Sequence, residues 1–296
     1  MLKETIGIRI RALLSGSQNG VPEWTPLIEA GNDYGLFKPT DAPWIVHADV
    51  ATMIGGIRAL LLQAMHPGSL AGVMQHSRYE EDALGRLAGT IRWLTICSFG
   101  SVEAVETESA RVRGMHDRVR GKYLENSGET RNYQAADQDL LRWVHLAFTD
   151  SFLATHQQFG KYSIPGGADA YVGLWGKSVI PLGVENPPKN ENELRQQIAA
   201  YDNALRVDER TLRVVSFLRK PPLPAPARVV YALLFAAAVN TLPEIKRNQL
   251  HLKVWPRWFA FPLGSAALKT LRFILGTNSP LEAAALSRHK RLNAGN

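Results

Sequence analysis

The sequence predicts an all-α fold in a single domain, and three observations predict it. Apolar residues recur at the three-and-four spacing of buried helix faces through most of the chain. No alternating apolar–polar run of any length marks a strand, and no internal repeat occurs. The breakers between periodic stretches are short clusters, of the length that joins packed helices rather than domains. With 296 residues, 45% of them hydrophobic and 21% charged, the chain can bury a substantial core.

Residues 1–18 are expected to form a short basic amphipathic helix. Residues 19–44, rich in Pro, Gly and Asn ("GNDYGLFKPTDAPW"), form an irregular lead-in. Asp49 is placed to cap "VATMIGGIRALLLQAMH", which is apolar nearly all round and therefore deeply buried. Pro67 ends or kinks that helix at His66, because a residue before proline is pushed out of the helical region. "GSLAGVMQHS" is a short continuation. Asp82 opens "ALGRLAGTIRWLTICSF", which Gly100 ends. Ser101, Glu103 and Glu106 make the acidic start of a helix running to Gly121, with basic residues in its last turns, as the helix dipole favours. "KYLENSGETRNYQAA" is a polar loop. Asp137 starts the long helix "QDLLRWVHLAFTDSFLATHQQFG". Residues 168–180 and 191–218 are helical, separated by "PLGVENPPKN"; "KPPLPAP" then leads into an apolar helix over 227–241. A turn around Trp255–Pro256 and a last helix near 263–275 follow, giving about ten helices. The expected organisation is a lead-in over 1–44, a helical domain over 45–278 and a surface tail over 279–296.

A formal charge of +7 and a pI of ≈ 9.6 suit an anionic partner, such as lipid headgroups or a propionate-bearing cofactor. The cations are scattered with no block of five or six, which sets nucleic acid aside. The single cysteine, Cys97, excludes an intrachain disulfide framework and any multi-thiolate cluster; inside an apolar helix it is expected to be buried and inert. The first 16 residues lack the continuous apolar core and cleavage site of a secretory signal. The longest apolar run, "VVYALLFAAAV" from 229 to 239, is 11 residues, too short to span a bilayer. These features predict a cytoplasmic protein, with peripheral membrane contact left open.

One stretch carries chemistry. Arg86 and Thr90 stand four apart on one helical face, and His116 and Arg120 repeat that spacing on the expected next helix. The two helices turn at Phe99–Gly100, with Arg86 fourteen residues before Gly100 and His116 sixteen after, so an antiparallel hairpin brings them near one level. One imidazole, one hydroxyl and two guanidinium groups facing an apolar pocket suit a haem: the imidazole supplies the axial bond and the arginines grip the propionates. On spacing alone a blander reading stays open, with His116 a partner of the helix dipole and Arg120 a surface ion-pair member. No HExxH, paired Glu-x-x-His, GxGxxG, phosphate loop or Gly-x-Ser-x-Gly elbow occurs.

The strings "IGGIRALLLQAMHPGSLAGVMQHS", "DALGRLAGTIRWLTICSFG", "RVRGMHDRVRG" and "YQAADQDLLRWVHLAF", in that order and spacing, resemble the family of latex clearing protein, the rubber-oxygenase catalytic domain and MpaB-like oxygenases. The resemblance covers roughly residues 40–275. It implies a globin-like helical core holding haem b, with His116 as proximal ligand and Arg120, Arg86 and Thr90 lining or bracing the pocket. It also implies O2-dependent cleavage or oxidation of a hydrophobic, alkene-bearing, isoprenoid or lipid-like substrate. The rubber-cleaving members carry a lysine before the threonine of Arg-x-x-x-Thr, where this chain has Gly89, so their distal closure and polyisoprene specificity do not transfer. His145 also matches the family, as a distal group, a propionate contact, a second axial ligand or a satisfied core histidine. His66 is expected to cap a helix end, and His76 to stand at one or to reach the pocket. His47, His156, His251 and His289 are expected to be structural or exposed. The alternatives to an oxygenase are a haem- or ligand-binding helical protein without turnover, and a scaffold that binds no haem.

Overall fold

The computed structural model describes residues 2–76, 83–276 and 278–295; the side chains of Leu2, His76 and residues 83–87 lie outside that description. The chain is mostly helical. In order come α1 (Leu2–Ser15), α2 (Thr25–Glu29), α3 (Ala42–Ala48), α4 (Thr52–Gln63), α5 (Pro67–His76), α6 (Ala83–Phe99) and α7 (Val102–His116). A hairpin, β1 (Arg120–Leu124) and β2 (Thr130–Gln134), precedes α8 (Gln138–Phe159) and α9 (Gly167–Trp175). A 3-10 helix (Gly176–Leu182) leads to α10 (Glu191–Ala199), α11 (Glu209–Arg219), α12 (Ala225–Thr241), α13 (Glu244–Gln249), α14 (Arg257–Leu275) and α15 (Pro280–Ala294).

The long helix α8 is the centre of the core. Every residue from His145 to Thr149 is buried, so several elements pack around it. Its main neighbour is α4. Gly55 permits their close approach: a Cβ there would meet Phe152 Cδ1 at 2.6 Å and Thr155 Oγ1 at 2.8 Å. The buried Arg58 of α4 then donates to Asp150 at 2.6 Å and to Ser151 Oγ at 2.8 Å on α8, and to the Thr241 carbonyl of α12 at 3.4 Å. Gly264 does for α12 and α14 what Gly55 does here, with Ala237 Cβ 2.9 Å from where its own Cβ would stand.

Three expectations are corrected and one is met. The segment read as a polar loop holds an antiparallel hairpin with Lys122 opposite Asn132. Its inward face carries Tyr123 and Tyr133, buried with Ala71 and Leu140, and two aromatic residues ten apart were too sparse to register as alternation. The lead-in contains the short helix α2. Asp49 caps the next helix as expected, its Oδ1 accepting from the Ala51 amide at 2.8 Å, and its carboxylate also ties Arg272 of α14 (2.7 Å) and the Lys161 amide (2.8 Å) to this corner. Residues 280–294 are a packed helix, not a surface tail. Ser279 accepts from the Glu282 amide at 3.1 Å to start it, and its inward stripe buries Leu281, Ala284, Ala285, Arg288 and His289. Arg288 donates to the Phe99 carbonyl at 2.8 Å, fastening α15 to the end of α6.

No single described helix is long and apolar enough to cross a membrane. The pair α3 and α4 passes by length and composition, but it is bent by 95° and much of it lies in the core.

Candidate functional site

Helices α6 and α7 form the expected hairpin, and its register can be read from a buried charge. Glu108, 2% exposed, accepts from Arg92 of α6 at 3.0 Å and from Arg111 at 2.6 Å. Arg92 and Glu108 each stand eight residues from Gly100, so levels are counted equally from the turn. On that count Arg86 falls level with Gly114, and His116 half a turn beyond. Ser101 caps α7 by accepting from the Ala104 amide at 3.2 Å. Asp82, expected to open α6, and the side chain of Arg86 lie outside the described residues.

On α7 the inward stripe is Val105, Ser109, Val112 and His116, at spacings of four, three and four. The first three are buried and His116, the last helical residue, is half-buried. Burial lowers its pKa, with the neighbouring Asp117 carboxylate partly opposing, so the ring is neutral at pH 7. Its nitrogens form no hydrogen bond to a described residue. On α6 the corresponding stripe is Arg86, Thr90, Trp93 and Cys97. Cys97 is fully buried and its thiol is pushed well up, first by desolvation and then by Glu108, which makes it the inert thiol the sequence predicts.

Arg120 is placed differently from the expectation. Helix α7 stops at His116; the Arg118 and Val119 amides bond back to Met115 and His116, and Arg120 opens β1. Its exposed side chain donates to the Asp117 carbonyl at 3.2 Å, and it lines a surface hollow of about 350 Å³ with Gly121, Asn132, Tyr133, Gln134 and Asp137. Pairing of Gly121 with Tyr133 draws the chain into the hairpin before another helical turn can form. The four-residue spacing of His116 and Arg120 is therefore not a helical one. A larger hollow of about 790 Å³ along the 3-10 helix touches none of these residues.

His145 is buried to 4% in α8, and desolvation lowers its pKa to about 4. Thr149 Oγ1 lies 3.4 Å from Nδ1, while Nε2 is buried without a partner among the described residues. The Trp93 indole nitrogen and the Ser109 hydroxyl are likewise buried and unpartnered there. The sequence reading did not single out Trp93 or Ser109, although their places on the 86–90–93–97 and 105–109–112–116 stripes were legible. Around them, Trp175 of α9 stands 6.3 Å from Trp93, 4.0 Å from His47 and 5.9 Å from Phe37, ring centre to ring centre. His47 also accepts from or donates to Tyr171 Oη at 3.2 Å, and burial lowers its pKa to about 3. His66 accepts from the Ser69 amide at 3.4 Å and caps α5 as expected. His156 and His289 hydrogen-bond the carbonyls of Tyr162 and Tyr34.

The segment from Ala88 to Thr95 departs from ordinary helix packing. Apart from exposed Gly89, each of its residues is half-buried, Ile91, Trp93 and Leu94 included. A helix laid on a filled core ordinarily has a covered face and a bare one, and this segment shows neither. A Cβ at Gly89, or at Gly114 across the hairpin, would touch nothing within 4 Å. Among the described residues, no group of three or more His, Cys, Asp or Glu could hold a metal ion.

The family model described as "ER-bound oxygenase mpaB/B'/Rubber oxygenase, catalytic domain" matches residues 44–273. No curated protein and no solved structure matches the chain.

Proposed function

Because the chain belongs to the mpaB/rubber oxygenase catalytic-domain family, and is by that membership an oxygenase domain, we propose that it uses haem b, held by His116, to oxidise or cleave a hydrophobic alkene. The observation that carries this reading is the inward, neutral imidazole at the end of α7, whose ring bonds to no described residue. An imidazole with an available lone pair is the form that binds iron. The donor set fits as well, since a porphyrin brings four nitrogens of its own and asks the protein for one axial ligand. Room for a flat group is supported by the half-buried Ala88–Thr95 segment, whose Ile91, Trp93 and Leu94 are not fully covered. Held by His116, with Arg86 and Arg120 as cations for its propionates, haem b would supply the redox chemistry that activates O2.

The remaining roles belong to this chain's own side chains. Thr90, on the stripe that faces α7, offers a hydroxyl at the pocket wall, and Arg86, one turn earlier, a cation for a propionate. Arg120 would take a propionate from β1 rather than from the helix, by exchanging its bond to the Asp117 carbonyl. Ile91, Trp93 and Leu94 supply the apolar wall that orients an isoprenoid or lipid-like chain and keeps water from it. Gly89 leaves the approach open and uncharged.

Protein expressed with ample haem precursor should carry a Soret band that His116→Ala abolishes while its circular dichroism is unchanged. A colourless wild-type protein, or an unaltered band in the variant, overturns the assignment. The Nε2 of His145, without a partner among the described residues, favours a second reading, in which this imidazole would hold the haem together with His116 and the protein would bind it without turnover. That state is low-spin when reduced and forms no O2 adduct, and His145→Ala would convert it to a high-spin one.

A further inference from the structure

We propose that the outer face of α14, with the segment that leads into it, docks on an anionic phospholipid surface. Helix α14 buries Ala260, Gly264, Ala267, Leu268 and Leu271 on its inner side, yet its outer stripe is also apolar. Trp258, Pro262, Ala266, Lys269 and Phe273 follow at spacings of four, four, three and four, and all are exposed. Trp258 is 78% exposed and Phe273 69%, the most exposed aromatic rings after which come Tyr162, Phe259 and Trp255. A helix apolar on both sides is ordinarily covered on both. Here the uncovered stripe is about 22 Å long, from the rise of the fifteen steps between Trp258 and Phe273.

The charge around this face names what covers it. From Arg210 to Leu281 the chain has eleven Lys and Arg and a single carboxylate, Glu244, although Arg210, Lys246 and Arg272 are paired with Asp208, Asp202 and Asp49. Since the whole chain is +7, the rest of it is net negative, and the cationic character is concentrated in the part that carries the greasy stripe. Lys253 and Arg257 border the stripe and Lys269 stands within it; all three are exposed and form no ion pair with a described residue. Lys3 of α1 sits 4.2 Å over the Phe273 ring and Arg257 5.9 Å over Phe261, so cations and aromatic rings alternate along one surface. Tryptophan and phenylalanine entering the headgroup region while lysine and arginine reach phosphates is the chemistry of an interfacial helix. A protein partner would need acidic groups matched to these cations one by one; an anionic bilayer needs only its mean negative potential. Docked this way, the domain lies on the membrane without crossing it, and a lipid-soluble substrate is at hand; the proposal itself does not depend on haem.

The test uses the full chain and vesicles of phosphatidylcholine with or without phosphatidylserine, read by co-sedimentation and by tryptophan emission. Wild-type protein should partition onto the serine-lipid vesicles with a blue-shifted emission, and raised salt should weaken it. Trp258→Ser with Phe273→Ser should weaken partition roughly tenfold or more, and Lys253→Glu with Arg257→Glu and Lys269→Glu should remove the preference for anionic lipid. All five positions are exposed, so circular dichroism should stay unchanged. Failure of the wild type to bind either vesicle, or variants that bind as the wild type does, overturns the proposal. So does a concentration-dependent dimer that Trp258→Ser disperses, because a second copy would then be what covers the face.

Discussion

Removing the Asp150 carboxylate should expose how much of the core depends on one buried charge. Arg58 is 2% exposed and Asp150 25%, with 2.6 Å between them. Breaking such a pair from one side leaves a guanidinium uncompensated, at about 3–5 kcal/mol. The lower end applies here. A quarter of Asp150 is open to water, and Ser151 Oγ and the Thr241 carbonyl remain as acceptors. Asp150→Ala is therefore expected to destabilise by about 3 kcal/mol, a fall in Tm of roughly 6–10 °C for a chain of this size. Asp150→Asn keeps an acceptor oxygen and should lose only about 1–2 kcal/mol. Replacing both partners, Arg58→Met with Asp150→Leu, should recover most of the loss, because neither charge then has to be desolvated. Urea denaturation followed by far-ultraviolet circular dichroism measures all three as shifts in midpoint at constant slope. An Asp150→Ala midpoint equal to the wild type refutes the reasoning, as does a double variant as unstable as the sum of its single changes.

Three further outcomes follow from the same geometry. Gly55→Ala drives a methyl to within 2.6 Å of the Phe152 ring and should cost about 1–3 kcal/mol, seen in the same denaturation midpoint. Gly89→Lys meets open space in a helix interior, so a thermal melt should show it unchanged or stabilised by about 0.5–1 kcal/mol. Stability should fall as pH drops below the ordinary histidine value. His145 is held to about 4 and His47 to about 3 in the folded chain, so the unfolded chain binds more protons between pH 6.5 and 4. Each group contributes a slope of up to about 1.4 kcal/mol per pH unit across that window. Denaturation midpoints from pH 7 to 4 should show it, and His145→Gln should flatten part of the slope.

Much of this was legible in the residues. The helix starts at Ser101 and the helix end at Gly160 follow from local backbone chemistry, and the α6–α7 hairpin from a turn between two periodic stretches. The place of His116 on the stripe of Val112 and Ser109 follows from spacings of four and seven. The β-hairpin escaped because Tyr123 and Tyr133 earn their burial only when Ala71 and Leu140 are brought against them. The packed α15 escaped because its stripe is built largely of alanine, and its one long inward side chain, Arg288, looks like a surface residue until the Phe99 carbonyl receives it.

The sequence by itself determined the all-α class, the family motifs, and which residues share a helix face, because helical periodicity is a property of the chain within a few turns. Tertiary structure alone decided that the helix stops at His116 and hands Arg120 to a strand, since the pairing of Gly121 with Tyr133 is a contact across the hairpin. It also decided that His145 is buried with one ring nitrogen lacking a partner among the described residues, and that α14 keeps an apolar face uncovered there. Burial and hydrogen-bond satisfaction depend on what the rest of the fold places opposite a residue, and no local spacing carries that information.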